Sequence, residues 1–330
     1  MKAWQVSAHG EPGSVLELVE TALPEPGVGQ VRVRVRAAAL NFPDVLLCRG
    51  TYQVRPRLPF TPGVELCGEV DAVGEGVTVP AVGDRVIGNP ALPYGALAEY
   101  ALAEASDLLP APEALDDAEA SALHIAYQTG WFGLHRRAGL QPGETLLVHA
   151  AAGGVGSAAV QLGKAAGARV VAVVGGAAKA ATARALGADV VIDRTDRDVD
   201  IVRAVKEATG GRGADVVFDP VGGDAYTASA KCVAFEGRIV VVGFAGGTVP
   251  APALNHALVK NYSIMGLHWG LYKQHAPAEI ALAHAELGRL AASGAIAPLI
   301  GGRLALDQAP DGLTRLGAGD SVGRLVVLPD

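Results

Sequence analysis

From Lys2 to about Ala122, apolar and polar residues alternate over short runs broken by Gly and Pro: VLELVE, QVRVRVRAAAL, GVELCGEVDAVG, GDRVIG and AEYALA. Period-two alternation with turn residues between the runs predicts an antiparallel β-rich unit. Between Leu115 and Leu134 the period becomes helical. From Glu144 onward, short Val-rich runs (TLLVHA, ARVVAVV, DVVI, DVVFD, RIVVVG) alternate with Ala-rich helical stretches. Such runs predict parallel strands buried on both faces. YSIMGLH, Tyr262 to His268, predicts a sixth strand, and APAEIALAHAELGRLAASG a long helix stopped at Gly294. The closing stretch, ending in RLVVLP, returns to strand-like alternation. The pattern predicts an α/β chain in which a β-rich unit at 1–122, completed by 270–330, wraps a doubly wound parallel-sheet unit at 123–269.

Composition agrees with this division. The 330 residues exceed what one core usually supports, about 250–300 residues. The net charge of −7 argues against a nucleic-acid surface, which needs clustered cations. Arg32, Arg34 and Arg36 alternate with Val31, Val33 and Val35 and read as the solvated face of a strand. No stretch resembles a signal peptide or reaches the ~18 apolar residues of a membrane span, so a cytoplasmic protein without a membrane partner is expected. Cys48, Cys67 and Cys232 are odd in number and widely spaced, as expected of reduced core thiols.

The run TLLVHA leads into AAGGVG at Ala151 to Gly156 and then into the apolar helix SAAVQLGKAAG. Strand, glycine-rich turn and helix in this order predict a dinucleotide site of the Rossmann type, with Ala151 in place of the first glycine of the usual pattern. Ala152, Gly153, Gly154, Val155 and Gly156 would face the pyrophosphate: Gly153 lets the backbone approach, Gly156 permits close helix packing, and the helix start offers N–H groups. An NAD site usually carries Asp or Glu at the end of the next strand; this chain has Val174, Gly175, Gly176, Ala177, Ala178, Lys179. Without a carboxylate at Gly175, and with Lys179 and Arg194 near a 2′-phosphate, NADPH is the expected cofactor.

NFPDVLLCRGTY, FTPGVELCGEVDAVGEGV, VGDRVIG, AAGGVG and DPVGG, in this order along nearly the whole chain, resemble the medium-chain dehydrogenase/reductase superfamily and, within it, the zeta-crystallin-like quinone oxidoreductases. The resemblance implies a GroES-like catalytic domain, a Rossmann domain, an active-site cleft between them, and commonly a homodimer. The zinc-bearing members carry a ligand Cys where this chain has Phe42 to Asp44, and Gly-His-Glu where it has Gly63, Val64, Glu65. Their four-Cys lobe is absent too, and three scattered Cys lack zinc-ligand spacing, so no metal is expected. His124, His149 and His268 have no partner at i+4, and His149, ending a strand, reads as structural.

By the same resemblance Asn41, Tyr52 and Thr129 line the cleft. Asn41 and Thr129 would position the carboxamide or the acceptor oxygen, Tyr52 would donate a proton, and Gly243 and Phe244 would pack on the cofactor. Hydride addition to a quinone or enone spreads the arriving charge over a conjugated oxygen and needs little Lewis-acid help. The expected activity is NADPH-dependent reduction of a small conjugated carbonyl acceptor, a quinone first. Double-bond reduction of 2-alkenals or enoyl thioesters, and a non-catalytic NADPH-binding role, remain open.

Overall fold

The computed structural model describes residues 1–329, which divide into two compact units: residues 1–125 with 298 onward, and Ala126–Ala297. The first unit is built around the strand Gln30–Ala39, whose Val31, Val33 and Val35 are fully buried. It pairs antiparallel with Leu66–Val73, with Tyr100–Glu104 and, at Ala38 and Ala39, with Arg324–Leu328. Arg85–Gly88, Leu108–Pro110 and Ile300–Ala305 extend the sheet. Arg32 and Arg36, on the opposite side of the alternation, reach across to Asp71 at 2.6 Å and Glu69 at 3.2 Å, so the strand's polar face is ion-paired.

NFPD starts a helix, Phe42–Arg49, that the alternation does not show. Asn41 is its N-cap: Asn41 N–H donates to Asp44 Oδ2 at 2.9 Å, and Pro43 sits in the first turn, where its missing N–H costs nothing. The closing strand is tied in by charge. Arg324 is 6% exposed and pairs with Glu65, which has no exposed surface. Arg324 Nη1 also donates to Asn41 Oδ1 at 2.9 Å.

The second unit contains six parallel strands in the order Val190–Asp193, Arg169–Val174, Thr145–Val148, Ala214–Asp219, Val233–Val241, Ser263–Gly266. Numbered along the chain this is 3-2-1-4-5-6, the doubly wound order, with its switch point between Thr145–Val148 and Ala214–Asp219. Both of these strands are buried throughout, as their unbroken apolar runs predict. The sixth strand lies within the expected run, and Gly294, at φ +72°, follows the long helix Pro277–Ala292.

That helix differs from the expected division, which placed residues 270–297 with the first unit. Gln128 Nε2 donates to Ile280 O at 3.2 Å, Arg136 pairs with Glu279 at 2.7 Å, and Gln161 bonds both the N–H and the carbonyl of Ala297. These contacts hold the helix within the second unit; the chain rejoins the first only at Pro298. Cys48, Cys67 and Cys232 are all buried free thiols. Among the described residues no helix is long and apolar enough to cross a membrane.

Breaking a buried pair from one side leaves an uncompensated charge. Arg324→Met is therefore expected to destabilise the chain by about 3–5 kcal/mol in urea unfolding. Adding Glu65→Gln should return much of that loss, because the stranded carboxylate is gone. A double variant as unstable as the two single losses added together would contradict this account.

Candidate functional site

The glycine-rich turn follows the first parallel strand. Ala150 adopts φ +49° and accepts from Gly153 N at 2.9 Å, while Ala151 N donates to Val173 O at 3.1 Å. Gly153 is the N-cap of the helix Gly154–Ala165 and supplies no side-chain acceptor, so the first N–H groups of that helix remain for a ligand. A Cβ on Gly156 would lie 2.1 Å from Ala150 O, so the helix approaches its strand as closely as backbone allows. A Cβ on Gly153 would sit 3.3 Å from the same oxygen, which leaves the space in front of the turn as the reason for glycine there. Thr129 is buried on the helix Asp117–Trp131. The next residue, Gly130, meets Leu162 of the glycine-rich helix, where a Cβ would stand 2.7 Å from the Leu162 side chain.

The structure brings the other residues expected at the nucleotide to the same, C-terminal, ends of the parallel strands, where doubly wound sheets bind ligands. Gly175 directly follows the second strand. The Arg194 guanidinium lies against it, with Nη2, Nε and Cζ 3.2, 3.3 and 3.4 Å from where a Gly175 Cβ would be. Lys179 stands in the first turn of the helix Ala177–Ala185. Gly243 and Phe244 follow Val233–Val241, and the Phe244 ring, 40% exposed, rests against Gly222, where a Cβ would come within 2.9 Å of it.

Sequence reasoning passed over Asp219 of DPVGG. Its Oδ1 accepts from Val221 N at 2.9 Å and Gly222 N at 3.0 Å, and its Oδ2 is buried without a protein partner. His149 Nε2 lies 2.8 Å from Ser229 Oγ, and burial holds the ring below the usual His range, as suits a structural imidazole.

Asn41 and Tyr52 belong to the first unit, together with three charged residues that sequence reasoning did not select: Asp44, Glu65 and Arg324. Their signal was present in NFPD, in GVE and in the lone Arg of the closing strand, but only folding joins them. Asn41 Nδ2 donates to Ala39 O at 3.0 Å and Glu65 Oε2 at 2.8 Å, which commits both amide hydrogens. Its Oδ1, already accepting from Arg324, has one lone pair left. Burial pushes the Asp44 carboxyl up to about 6, against the pull of N–H donors from Asn41, Gly63 and Val64. Burial also raises Glu65, opposed by Arg324 and Asn41. Tyr52 is half-buried in the same core, and burial, with the Asp44 carboxylate second, raises its hydroxyl pKa, keeping it a proton donor at neutral pH.

Residues 27–113 match the family model for the alcohol dehydrogenase GroES-like domain, and residues 154–285 the model for zinc-binding dehydrogenases. The chain is 37% identical over 312 residues to quinone oxidoreductase-like protein 2 of Bos taurus, spanning 94% of this chain and 88% of that protein. It is similar to the crystal structure of Escherichia coli quinone oxidoreductase complexed with NADPH, with a TM-score of 0.91 and 32% identity over 100% of both chains. It is also 33% identical over 319 residues, 96% of its length, to the phthioceranic/hydroxyphthioceranic acid synthase of Mycobacterium tuberculosis, of which the match spans 15%.

One family description names zinc, and the residues present do not fit it. Each oxygen of Asp44 and Glu65 already accepts from a protein donor. Val64 has no ligand atom in its side chain. Burial raises both Cys48, to about 12, and Cys67, away from the thiolate a metal needs. Among the described residues no three His, Cys, Asp or Glu stand together as a metal site. With both family models matched in chain order and a relative aligned along most of both lengths, the chain belongs to the medium-chain dehydrogenase/reductase superfamily, among its zinc-free, quinone oxidoreductase-like members.

Proposed function

We propose that this oxidoreductase uses NADPH to reduce a small conjugated carbonyl acceptor, a quinone first, without a metal. The observation that carries the cofactor half is the Arg194 guanidinium packed on Gly175, the position just past the second strand where an NAD site usually carries an acid. The resident chemistry NADPH supplies is a hydride. The chain's part is to bind, orient and protonate. The turn at Ala152–Gly156 holds the pyrophosphate, and Gly243 and Phe244 pack against the cofactor. Asn41 has acceptor capacity only, so it suits an amide N–H such as that of the nicotinamide carboxamide, with Thr129 as a second orienting group. The donor to the acceptor oxygen then falls to Tyr52. A hydroxyl is a mild electrophile, adequate where charge spreads through a conjugated system.

Double-bond reduction is the second reading, supported by the chain-long match within an acid synthase. NADPH oxidation measured against quinones, 2-alkenals and enoyl thioesters separates the two, with Tyr52→Phe run in parallel. Quinone turnover should exceed the others and tolerate Tyr52→Phe better than enone turnover, since a hydroquinone anion takes its proton from water. The melting temperature should stay near wild type. NADPH bound but oxidised by no acceptor would leave a non-catalytic role.

Preference for NADPH should depend on Lys179 and Arg194. A hydrogen bond to a charged group contributes about 1.5–3 kcal/mol, so Lys179→Ala should weaken NADPH roughly 10- to 100-fold, with the lower end favoured at a solvated site. NADH should change little. Gly175→Asp should act twice, repelling the phosphate and drawing off the adjacent Arg194 guanidinium. Equal losses of kcat/KM for both cofactors would count against this assignment.

Two bulk properties follow. Elemental analysis should find no stoichiometric zinc, and chelators should leave turnover unchanged. A homodimer is proposed as well, supported by the open edge strand Ser263–Gly266 and by Leu254, Leu258 and Val259, all at least 75% exposed beside it in sequence. Sedimentation at a monomer mass would contradict the dimer, and a stoichiometric metal the chemistry.

A further inference from the structure

The strands Arg169–Val174 and Val190–Asp193 end side by side, with Val174 opposite Asp193. The two turns that leave them are joined through one oxygen. Asp193 Oδ1 accepts from Gly176 N at 2.8 Å, Thr195 N at 3.0 Å and Thr195 Oγ1 at 2.7 Å. Gly176, the N-cap of the following helix, has φ +97°, a conformation that glycine adopts readily and other residues rarely. Between the residues Asp193 grips sits Arg194, whose N–H donates to Val174 O at 2.9 Å and whose guanidinium lies on Gly175.

We propose that Asp193 is a positioning residue for 2′-phosphate recognition: it locks the Gly175–Gly176 turn to the Arg194 turn and so sets the guanidinium across the ribose end of the site. This rests on the NADPH reading and deepens it. The assignment is not obvious from charge. The N–H groups of Gly176 and Thr195 hold the Asp193 carboxyl below its ordinary range, so it is ionised at neutral pH. An anion at this end of the site should by Coulomb's law disfavour a 2′-phosphate, and an acid near the ribose end could equally be taken for the group that marks an NAD enzyme. Its geometry argues otherwise, since Oδ1 is turned inward onto three protein donors. Screened repulsion across solvent changes affinity only a few-fold, whereas misplacing a guanidinium that bonds phosphate directly costs about 10-fold or more.

The two accounts predict opposite signs. Dissociation constants for 2′,5′-ADP and 5′-AMP would be measured by calorimetry on the intact protein for wild type, Asp193→Asn and Asp193→Ala, beside the NADPH/NADH ratio of kcat/KM. Asp193→Ala should weaken 2′,5′-ADP about 10-fold, leave 5′-AMP unchanged, and lower the cofactor ratio to match. Asp193→Asn keeps a carbonyl acceptor at Oδ1 and loses the charge, so it should bind 2′,5′-ADP as tightly as wild type or more tightly. If Asp193→Ala leaves 2′,5′-ADP unchanged or tighter, or weakens both nucleotides alike, the positioning role is overturned. Wild type binding 2′,5′-ADP no more tightly than 5′-AMP would overturn the NADPH reading and this inference together. Wild-type selectivity with an indifferent Asp193→Ala would overturn this inference alone.

Discussion

A carboxylate with no exposed surface has to be compensated from within, and Glu65 is such a group. Its demand organises the first unit. It draws Arg324 in from the closing strand, binds the Ile125 N–H at 2.5 Å, and takes one of the Asn41 amide hydrogens. Arg324 in turn fixes which way the Asn41 amide faces, because only Oδ1 can accept from a guanidinium. Asn41 caps the helix that carries Asp44, and Asp44 bonds the backbone of Gly63 and Val64, two residues before Glu65. The chain of contacts closes on itself, so the chemical options of the site follow from one buried charge.

The second unit answers to a backbone constraint. Its glycine-rich helix can start where it does only because Gly156 leaves room for Ala150 O, and because Ala150 accepts a left-handed conformation costing about 1–2 kcal/mol. The close approach aims the helix N–H groups past the end of the first strand, at the switch point of the sheet. Arg194 and Gly175 follow two of the three strands on one side of it, and Asp219 and Phe244 lie by two of the three on the other.

Much of this was legible in the chain because it depends on local periodicity. Val-rich runs give buried parallel strands whatever their neighbours, and AAGGVG between a strand and a helix has few other uses. The boundary at 270 was not legible in the same way: the pattern of Pro277–Ala292 shows a helix, but Gln128, Arg136 and Gln161, which hold its start and the segment after it, lie more than 130 residues away. The helix at NFPD was hidden because eight residues are too few for a helical period to declare itself. Glu65 and Arg324 are 259 residues apart, and a Glu just ahead of a strand announces no partner. Asp193 was overlooked for a related reason, since Arg194 beside it carried the expected charge and its own role lies in three hydrogen bonds.

The same internal demands bear on which reaction suits the site. Reducing an isolated ketone concentrates charge on one oxygen, and a strong electrophile, a metal or a free guanidinium, then lowers the barrier most. Here the two terminal nitrogens of the Arg324 guanidinium are bound to Asn41 and Glu65 while its Nε is buried without a protein partner, the carboxylate oxygens are occupied, and the Asn41 hydrogens are both in use. Under the proposed function, the group left to donate to an acceptor is the neutral Tyr52 hydroxyl, whose pKa burial and then the Asp44 carboxylate raise. A donor of that strength matches an oxygen whose charge is already shared through conjugation. Under the proposed function, the choice of acceptor is thus set less by what the site presents than by what the fold has already consumed.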